Sequence, residues 1–151
     1  MEAGGITTDI DAVLSAITLT SASITKFIRS VRAAHADLAA VTRELSDLRL
    51  VLELLVNDDE GWVLQTLRPR MREALNGCGV LLCRIDDSLT RHADATQWIT
   101  AGRAEMAPLR SALEAYRESL GLVLEVLDLY VQYLYFFRSL RWPACIFVPQ
   151  V

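Results

Sequence analysis

The residues that could do chemistry in this chain are few, and their spacing does not assemble a reactive site. His35 and His92 are the two histidines, and neither has another candidate ligand at the spacing that a metal site requires. Cys78 and Cys83 are five residues apart, which places them on different faces of a helix. We interpret the histidines as exposed residues at helix ends. The cysteines are interpreted as core or half-buried thiols, with a reactive cysteine as the alternative.

Acidic clusters are the other candidates for a ligand site. Asp58, Asp59 and Glu60 form one run, and Asp86 and Asp87 form a pair, but acidic clusters at loops and helix ends are usually solvated. No Gly-x4-Gly-Lys-Ser/Thr stretch is present, so the chain carries no P-loop. We therefore expect a protein that is not an enzyme, with no catalytic residue, no cofactor, no metal and no small-molecule substrate.

The composition is that of a single domain with apolar surface to spare. The chain has 151 residues, 52% of them hydrophobic, and a mean hydropathy of +0.28, which suits a bundle whose extra apolar surface meets a partner or a bilayer. A net charge of -4 gives no basic footprint for nucleic acid. The three cysteines lack framework spacing and no signal peptide opens the chain, so we expect a cytoplasmic protein, with recruitment to the plasma membrane as an option.

Apolar residues recur in steps of three and four along four segments. This periodicity predicts an all-α, up-and-down bundle of about four long antiparallel helices. The N-terminal stripe is the weakest, because Thr20 and Ser21 stand where an apolar residue is due. The stripes run from Ile6 to Val31, from Leu38 to Leu55, from Leu64 to Leu89 and from Met106 to Leu134.

Caps and breakers predict where these helices begin and end. Gly77 and Gly79 lie inside the third helix, where close approach of a neighbouring helix usually compensates for a glycine. Pro69 predicts a short first piece of that helix and then a restart or a kink, and Pro108 is tolerable only in a first turn. We expect the helices to run from Thr7 or Thr8 to Ala34, from His35 to Val56, from Trp62 to His92, and onward from Ala104 after a loop that carries Trp98.

Two parts of the chain resemble a known family. The first is the helix from Gly5-Ile6 to Val31 followed by Leu38-x6-Leu45-x2-Leu48-x3-Leu52-x2-Leu55, and the second is a later and more specific segment. Its blocks are Trp98-x3-Gly102-x6-Leu109-Arg110-x2-Leu113-Glu114-Ala115-Tyr116-x3-Leu120-x3-Leu124. This pattern is similar to the fungal N-terminal domain of NACHT and ankyrin-repeat STAND receptors, the HeLo-like group that is also named after the azaphilone pigments biosynthesis cluster protein L. The resemblance covers about Gly5 to Asp128. It implies a helical bundle used for signalling in heterokaryon incompatibility and programmed cell death, with some relatives thought to act by membrane insertion of the N-terminal helix.

The end of the chain departs from this pattern. We therefore divide it into a HeLo-like domain, residues 1–129, and an aromatic-rich tail, residues 130–151, which we expect to pack poorly beyond about Arg138. We expect the chain to be a free-standing effector domain or a truncated gene model of a larger receptor. A span across the membrane between Leu120 and Phe137 is disfavoured, because Glu125 and Asp128 interrupt it.

The functional expectation is a non-enzymatic signalling or cell-death effector that acts through helix association, with a signalling protein or a second copy as its partner. Its first helix combines an apolar half with a basic half that anionic lipid would attract, and insertion of this helix into a membrane is the hypothesis. The alternatives are a solvated polar face and a scaffold without membrane activity. The residues concerned are Ile10, Val13, Leu14 and Ile17, then Lys26, Arg29 and Arg32. Trp98 is expected to be a structural anchor rather than a ligand contact.

The stripes also predict which leucines are buried. We expect the Leu48→Ala variant to lose about 2 to 5 kcal/mol of unfolding free energy, because a core cavity replaces the side chain. Urea denaturation measures this loss, and a loss below 1 kcal/mol would contradict the assignment of the stripe to the core. The leucines expected in the core are Leu45, Leu48, Leu52, Leu75, Leu82, Leu113, Leu120 and Leu124.

Overall fold

The computed structural model describes residues 5–57 and 61–140, and within those ranges the chain is helical with no strand. The predicted all-α bundle is confirmed. A 3-10 turn, Arg32–Ala34, joins the first two long helices, and a short turn, Ala95–Gln97, followed by a π-helical turn, Trp98–Gly102, leads into the last. The four long helices are α1 (Gly5–Ser30), α2 (His35–Val56), α3 (Gly61–Arg91) and α4 (Arg103–Leu140).

The four helices occupy the corners of a bundle in which α1 and α4 each pack against both α2 and α3. Helices that follow one another in sequence run in opposite directions, as predicted. Because α2 and α3 stand on diagonal corners, the adjacent pairs α1–α3 and α2–α4 run parallel. Polar contacts in both pairs ascend together along the two helices: Asp9 with Arg72 and Thr20 with Asp86, then Asp37 with Arg103 and Glu44 with Arg117.

The predicted stripes face a single shared core. Every member of the α2 stripe, from Leu38 to Leu55, is at most 1% exposed. Of the eight leucines expected in the core, seven are buried, and Leu124 is the exception. Leu124 lies half-buried on the flank of α4, because Leu120, Val123 and Leu127 take the core-facing positions of those turns.

Several predicted boundaries were wrong. α1 ends at Ser30 rather than Ala34, since the backbone of Val31 turns out of the helix before the 3-10 turn. α3 continues through Pro69 instead of restarting there. The expected loop before α4 is helical, because the Asp94 carboxylate accepts a hydrogen bond from the Gln97 N–H at 2.8 Å and caps a new turn.

Pro108 lies inside α4 rather than in its first turn. Pro108 and Ala104 are both on the exposed face of the helix, so water can solvate the Ala104 carbonyl that loses its usual donor. α4 also passes residue 130 without a break, so the described part of the predicted tail, residues 130–140, continues the same helix. Its last ten residues, from Val131 to Leu140, are all exposed.

The two glycines inside α3 have different surroundings. A Cβ on Gly77 would lie 2.3 Å from the Tyr116 ring of α4, whereas a Cβ on Gly79 would meet no atom within 4 Å. The close helix approach predicted for these glycines is therefore present at Gly77 and absent at Gly79.

This pair gives a matched test of helix packing. We expect Gly79→Ala to raise unfolding free energy by up to about 1 kcal/mol, through helix propensity alone. Gly77→Ala should lower it, because the new methyl displaces the Tyr116 ring from the α3–α4 contact. Thermal melts followed by circular dichroism measure both variants. Equal stabilisation by the two substitutions would show that Tyr116 does not hold the two helices together.

Candidate association surface

Trp98 lies at one end of the bundle, where α1, α2 and α4 meet. Its side chain is fully buried, its Nε1–H donates to Asp37 Oδ2 at 2.9 Å, and its ring meets Phe27 edge to face at 5.3 Å. Burial alone would raise the pKa of Asp37, but hydrogen bonds from Trp98 and Arg103, together with the Arg103 charge, lower it. Gly102 admits the ring, since a Cβ there would lie 2.5 Å from it. These contacts are structural, and they fix where α4 begins.

A second polar cluster joins α3 to α4 at the same end. Glu105 accepts hydrogen bonds from Ser88 at 2.7 Å and from Arg91 at 3.0 Å, and His92 lies 3.1 Å away. The Arg91 hydrogen bond, followed by that from Ser88, lowers the pKa of Glu105 to about 2. A carboxylate held in this way stays ionised at neutral pH, and its contacts join α3 to α4.

The apolar residues proposed for membrane contact lie on the inner face of α1. Ile10 and Ile17 are each 1% exposed and Val13 is 5% exposed, while Leu14 is half-buried. They pack in the common core, so they meet a membrane only if α1 leaves the bundle. Cys78 belongs to the same core, and burial raises the pKa of its thiol to about 12, which keeps that thiol protonated.

The basic residues Lys26, Arg29 and Arg32 are exposed near the far end of α1. The basic residues therefore differ from Ile10, Val13 and Ile17 in burial as well as in position along the chain. Leu19, which is 67% exposed, is the large apolar side chain of α1 that remains accessible beside these charges, because Ile10, Val13 and Ile17 are buried.

Thr20 explains the interruption of the N-terminal stripe. Its side chain is 1% exposed, and its hydroxyl donates to Asp86 Oδ2 of α3 at 3.3 Å. Burial, with the nearby Asp87 charge, raises the pKa of Asp86 against the lowering effect of this hydrogen bond, and the second oxygen, Oδ1, is buried without a partner. The core contact between α1 and α3 therefore contains an unfavourable carboxylate.

Among the described residues, most of the exposed large apolar side chains belong to the second half of α4. On the face opposite the core, large side chains are 44% to 65% exposed. We call this set the outer stripe, and its members are Leu122, Val126, Leu129, Tyr133, Phe136 and Leu140. The aromatic rings near its end are in mutual contact, since Phe137 lies 4.7 Å from Tyr133 and 6.4 Å from Phe136, measured between ring centroids.

Sequence reasoning identified the aromatic composition of this segment but missed the outer stripe. The signal is present in the sequence, because the six positions are separated by alternating steps of four and three. It is overlaid on the core stripe of the same helix, from Met106 to Leu127, which occupies the opposite face.

Two segments of the described chain, Gly5–Ser30 and Ala95–Leu140, are long and apolar enough to cross a bilayer by length and composition alone. A core helix passes the same criterion.

Within residues 5–57 and 61–140, no group of three or more His, Cys, Asp or Glu side chains could hold a metal ion. The acidic run at residues 58–60 lies outside the described residues. No protein-family model, curated protein or solved structure matches the chain.

The Thr20–Asp86 contact leads to a prediction on pH. Folding raises the pKa of the Asp86 carboxyl group above 3.8, the ordinary value for an aspartate. The contribution of this group to the free energy of unfolding therefore falls as the pH rises above 3.8. Asp86→Asn should then raise the melting temperature at pH 7 and flatten its change with pH, because the amide still accepts from Thr20 without a charge.

Thr20→Val is the complementary variant. It should lower the free energy of unfolding by about 1 kcal/mol, because it removes the hydroxyl donor and leaves the half-buried Asp86 carboxylate without that hydrogen bond. Thermal melts measure both effects. They run from about pH 4, near the ordinary pKa of a carboxyl group, to about pH 8, where carboxyl groups are ordinarily ionised. A loss of stability at pH 7 in Asp86→Asn would mean that the charge stabilises the fold.

Proposed function

We propose that this chain is a non-enzymatic signalling domain that acts by helix-mediated association, with α4 as the associating element. The observation that carries the proposal is the exposed outer stripe, which continues past the bundle to the end of α4. Soluble monomers rarely expose a contiguous apolar patch of this kind unless it meets a partner. The resemblance to the HeLo-like group suggests the setting, which is fungal recognition leading to cell death.

The rest of the described surface supports a binding role over a catalytic one. Its ionised clusters, such as Glu105 with Arg91, make contacts that join helices. The four long helices supply a rigid body, and α4 supplies surface that this body leaves uncovered. Such an arrangement presents one helix to other molecules while the remaining three keep it in position.

Membrane insertion of α1 is the second candidate, favoured by the length and apolar composition of Gly5–Ser30. Charged substitutions at Val13 or Ile17 do not test it well, because both side chains are in the core and their variants would unfold the bundle. The exposed residues Lys26, Arg29 and Arg32 give a better test, since reversing their charges leaves the core intact.

The experiment expresses the full chain in fungal cells from an inducible promoter and records growth and the uptake of a membrane-impermeant dye. We expect wild-type protein to reduce viability and Leu129→Glu to restore it, because the charge disrupts the outer stripe at a side chain that is 65% exposed. The triple reversal Lys26→Glu, Arg29→Glu and Arg32→Glu is the comparison variant. Circular dichroism of the purified proteins checks that each is folded.

The variants separate the two candidates. Rescue by Leu129→Glu alone supports association through α4, whereas rescue by the triple reversal alone supports insertion of α1. Wild-type protein that accumulates in folded form without affecting viability would overturn the signalling role.

A further inference from the structure

The outer stripe has the spacing of a coiled-coil seam. Six large apolar residues separated by alternating steps of four and three keep one face toward a partner helix over its whole length. The same register continues toward the bundle with small exposed residues, Ser119 and Ala115. The seam therefore has small side chains beside the body of the bundle and large ones at the projecting end of α4. We call this end, residues 133–140, the tip.

A groove lies beside the narrow half of the seam. It has a volume of about 220 Å³, and Leu67 and Arg70 of α3 line it together with Ser119, Leu122 and Val126 of α4. A cavity of about 150 Å³ is enough to hold a benzene ring. The groove can thus accept one aromatic side chain, and the Arg70 guanidinium at its edge is suited to contact the face of such a ring.

The tip of the same helix carries side chains of that type. Tyr133 and Phe136 are 57% and 60% exposed, and both rings contact Phe137, which limits their freedom before any partner binds. The centre of the tip lies about 14 residues beyond the centre of the groove, or roughly 21 Å along the helix. One copy cannot place its tip in its own groove, but a second copy can.

On the basis of the proposed function, we infer that the partner of the outer stripe is a second copy of this chain, which packs antiparallel along α4. If the two helices cross between Val126 and Leu129, Phe136 of each copy is level with Ser119 of the other, and Tyr133 is level with Leu122. Both grooves then receive an aromatic ring at once. The arrangement is closed by a two-fold axis, so it forms a dimer and does not extend into a filament.

A parallel dimer explains less of the structure. It would place the two bulky tips against each other. The two segments of small residues, around Ala115 and Ser119, would also face each other, so the grooves would stay unfilled. Antiparallel packing matches large residues with small ones. If each of its six members buries roughly 100 Å², the outer stripe supplies about 600 Å² of the ~800 Å² per partner that a standard protein interface buries.

A bilayer suits the seam less well than a helix does. The seam begins at Leu122, and the exposed residues Glu125 and Asp128 lie beside its first half. Carboxylates deep in a membrane cost about 2.5 to 3.5 kcal/mol each, whereas at the rim of a helix pair they remain in water. Arg138, near the end of the tip, adds a third charge.

Sedimentation of the full chain at increasing concentration tests the dimer, and two adjacent tip residues give matched variants. Phe136 lies on the seam, while Tyr135, which is 71% exposed, lies away from it. We expect wild-type protein and Tyr135→Glu to dimerise alike, and Phe136→Glu to raise the dissociation constant at least about tenfold. Both sites are exposed, so neither variant threatens the core.

Thiol cross-linking tests the direction of the two helices. In a background with Cys83→Ser and Cys145→Ser, Ala115→Cys and Leu140→Cys are made as separate proteins and then mixed. Antiparallel packing gives a disulfide between the two different variants and none within either alone, because two copies of residue 140 would be roughly 40 Å apart. Parallel packing gives the reverse pattern.

The outcomes separate the dimer from the broader proposal. A monomer at all concentrations, a dimer unaffected by Phe136→Glu, or the parallel cross-linking pattern would each overturn the inference. Binding of a monomer to anionic vesicles, weakened equally by Phe136→Glu and Tyr135→Glu, would assign the tip to lipid and also overturn it. Signalling through α4 would survive each of these results, provided that Leu129→Glu still restores viability.

Discussion

The buried indole of Trp98 is the contact on which the geometry of the bundle depends. It meets Phe27 of α1 and Asp37 of α2 just before α4 begins, so it sets the height of α4 against α2. The two helices then run parallel from the same end, but α2 has 22 residues and α4 has 38. α3, the other helix packed against α4, has 31 residues, so the part of α4 that projects beyond both neighbours is about seven residues, or roughly 10 Å at 1.5 Å per residue.

The class of fold could be predicted from the sequence because burial of one face of a long helix leaves a local, periodic pattern. The position of each helix in the bundle could not. It depends on contacts between residues more than 60 positions apart, such as Asp9 with Arg72 and Asp37 with Arg103. The helical turns around Trp98 were missed for a related reason, since burial of its side chain in a distant contact favours them over a loop.

The candidate site shows a different limit of sequence reasoning. A helix with two apolar stripes does not reveal which stripe its own fold will cover, so the outer stripe of α4 could not be told apart from its core stripe in the sequence. Thr20 is the converse case. In the sequence it interrupts a stripe, and only the packing of α1 against α3 supplies Asp86 as its partner. An interruption of this kind indicates a polar contact within the core as readily as it indicates a surface.

The uneven burial of α4 divides one continuous helix into two thermodynamic regimes. Up to Leu127, its amides are held by the core, and they should exchange with solvent only when the bundle opens globally. From Val131 to Leu140 the side chains of the described helix are all exposed, and an isolated helical segment of that length is marginal in water. Its helicity is propagated from the packed half, so its amides exchange by local fraying. The helical structure of the apolar tip therefore depends on the packed half of α4, and the tip unfolds before that half does.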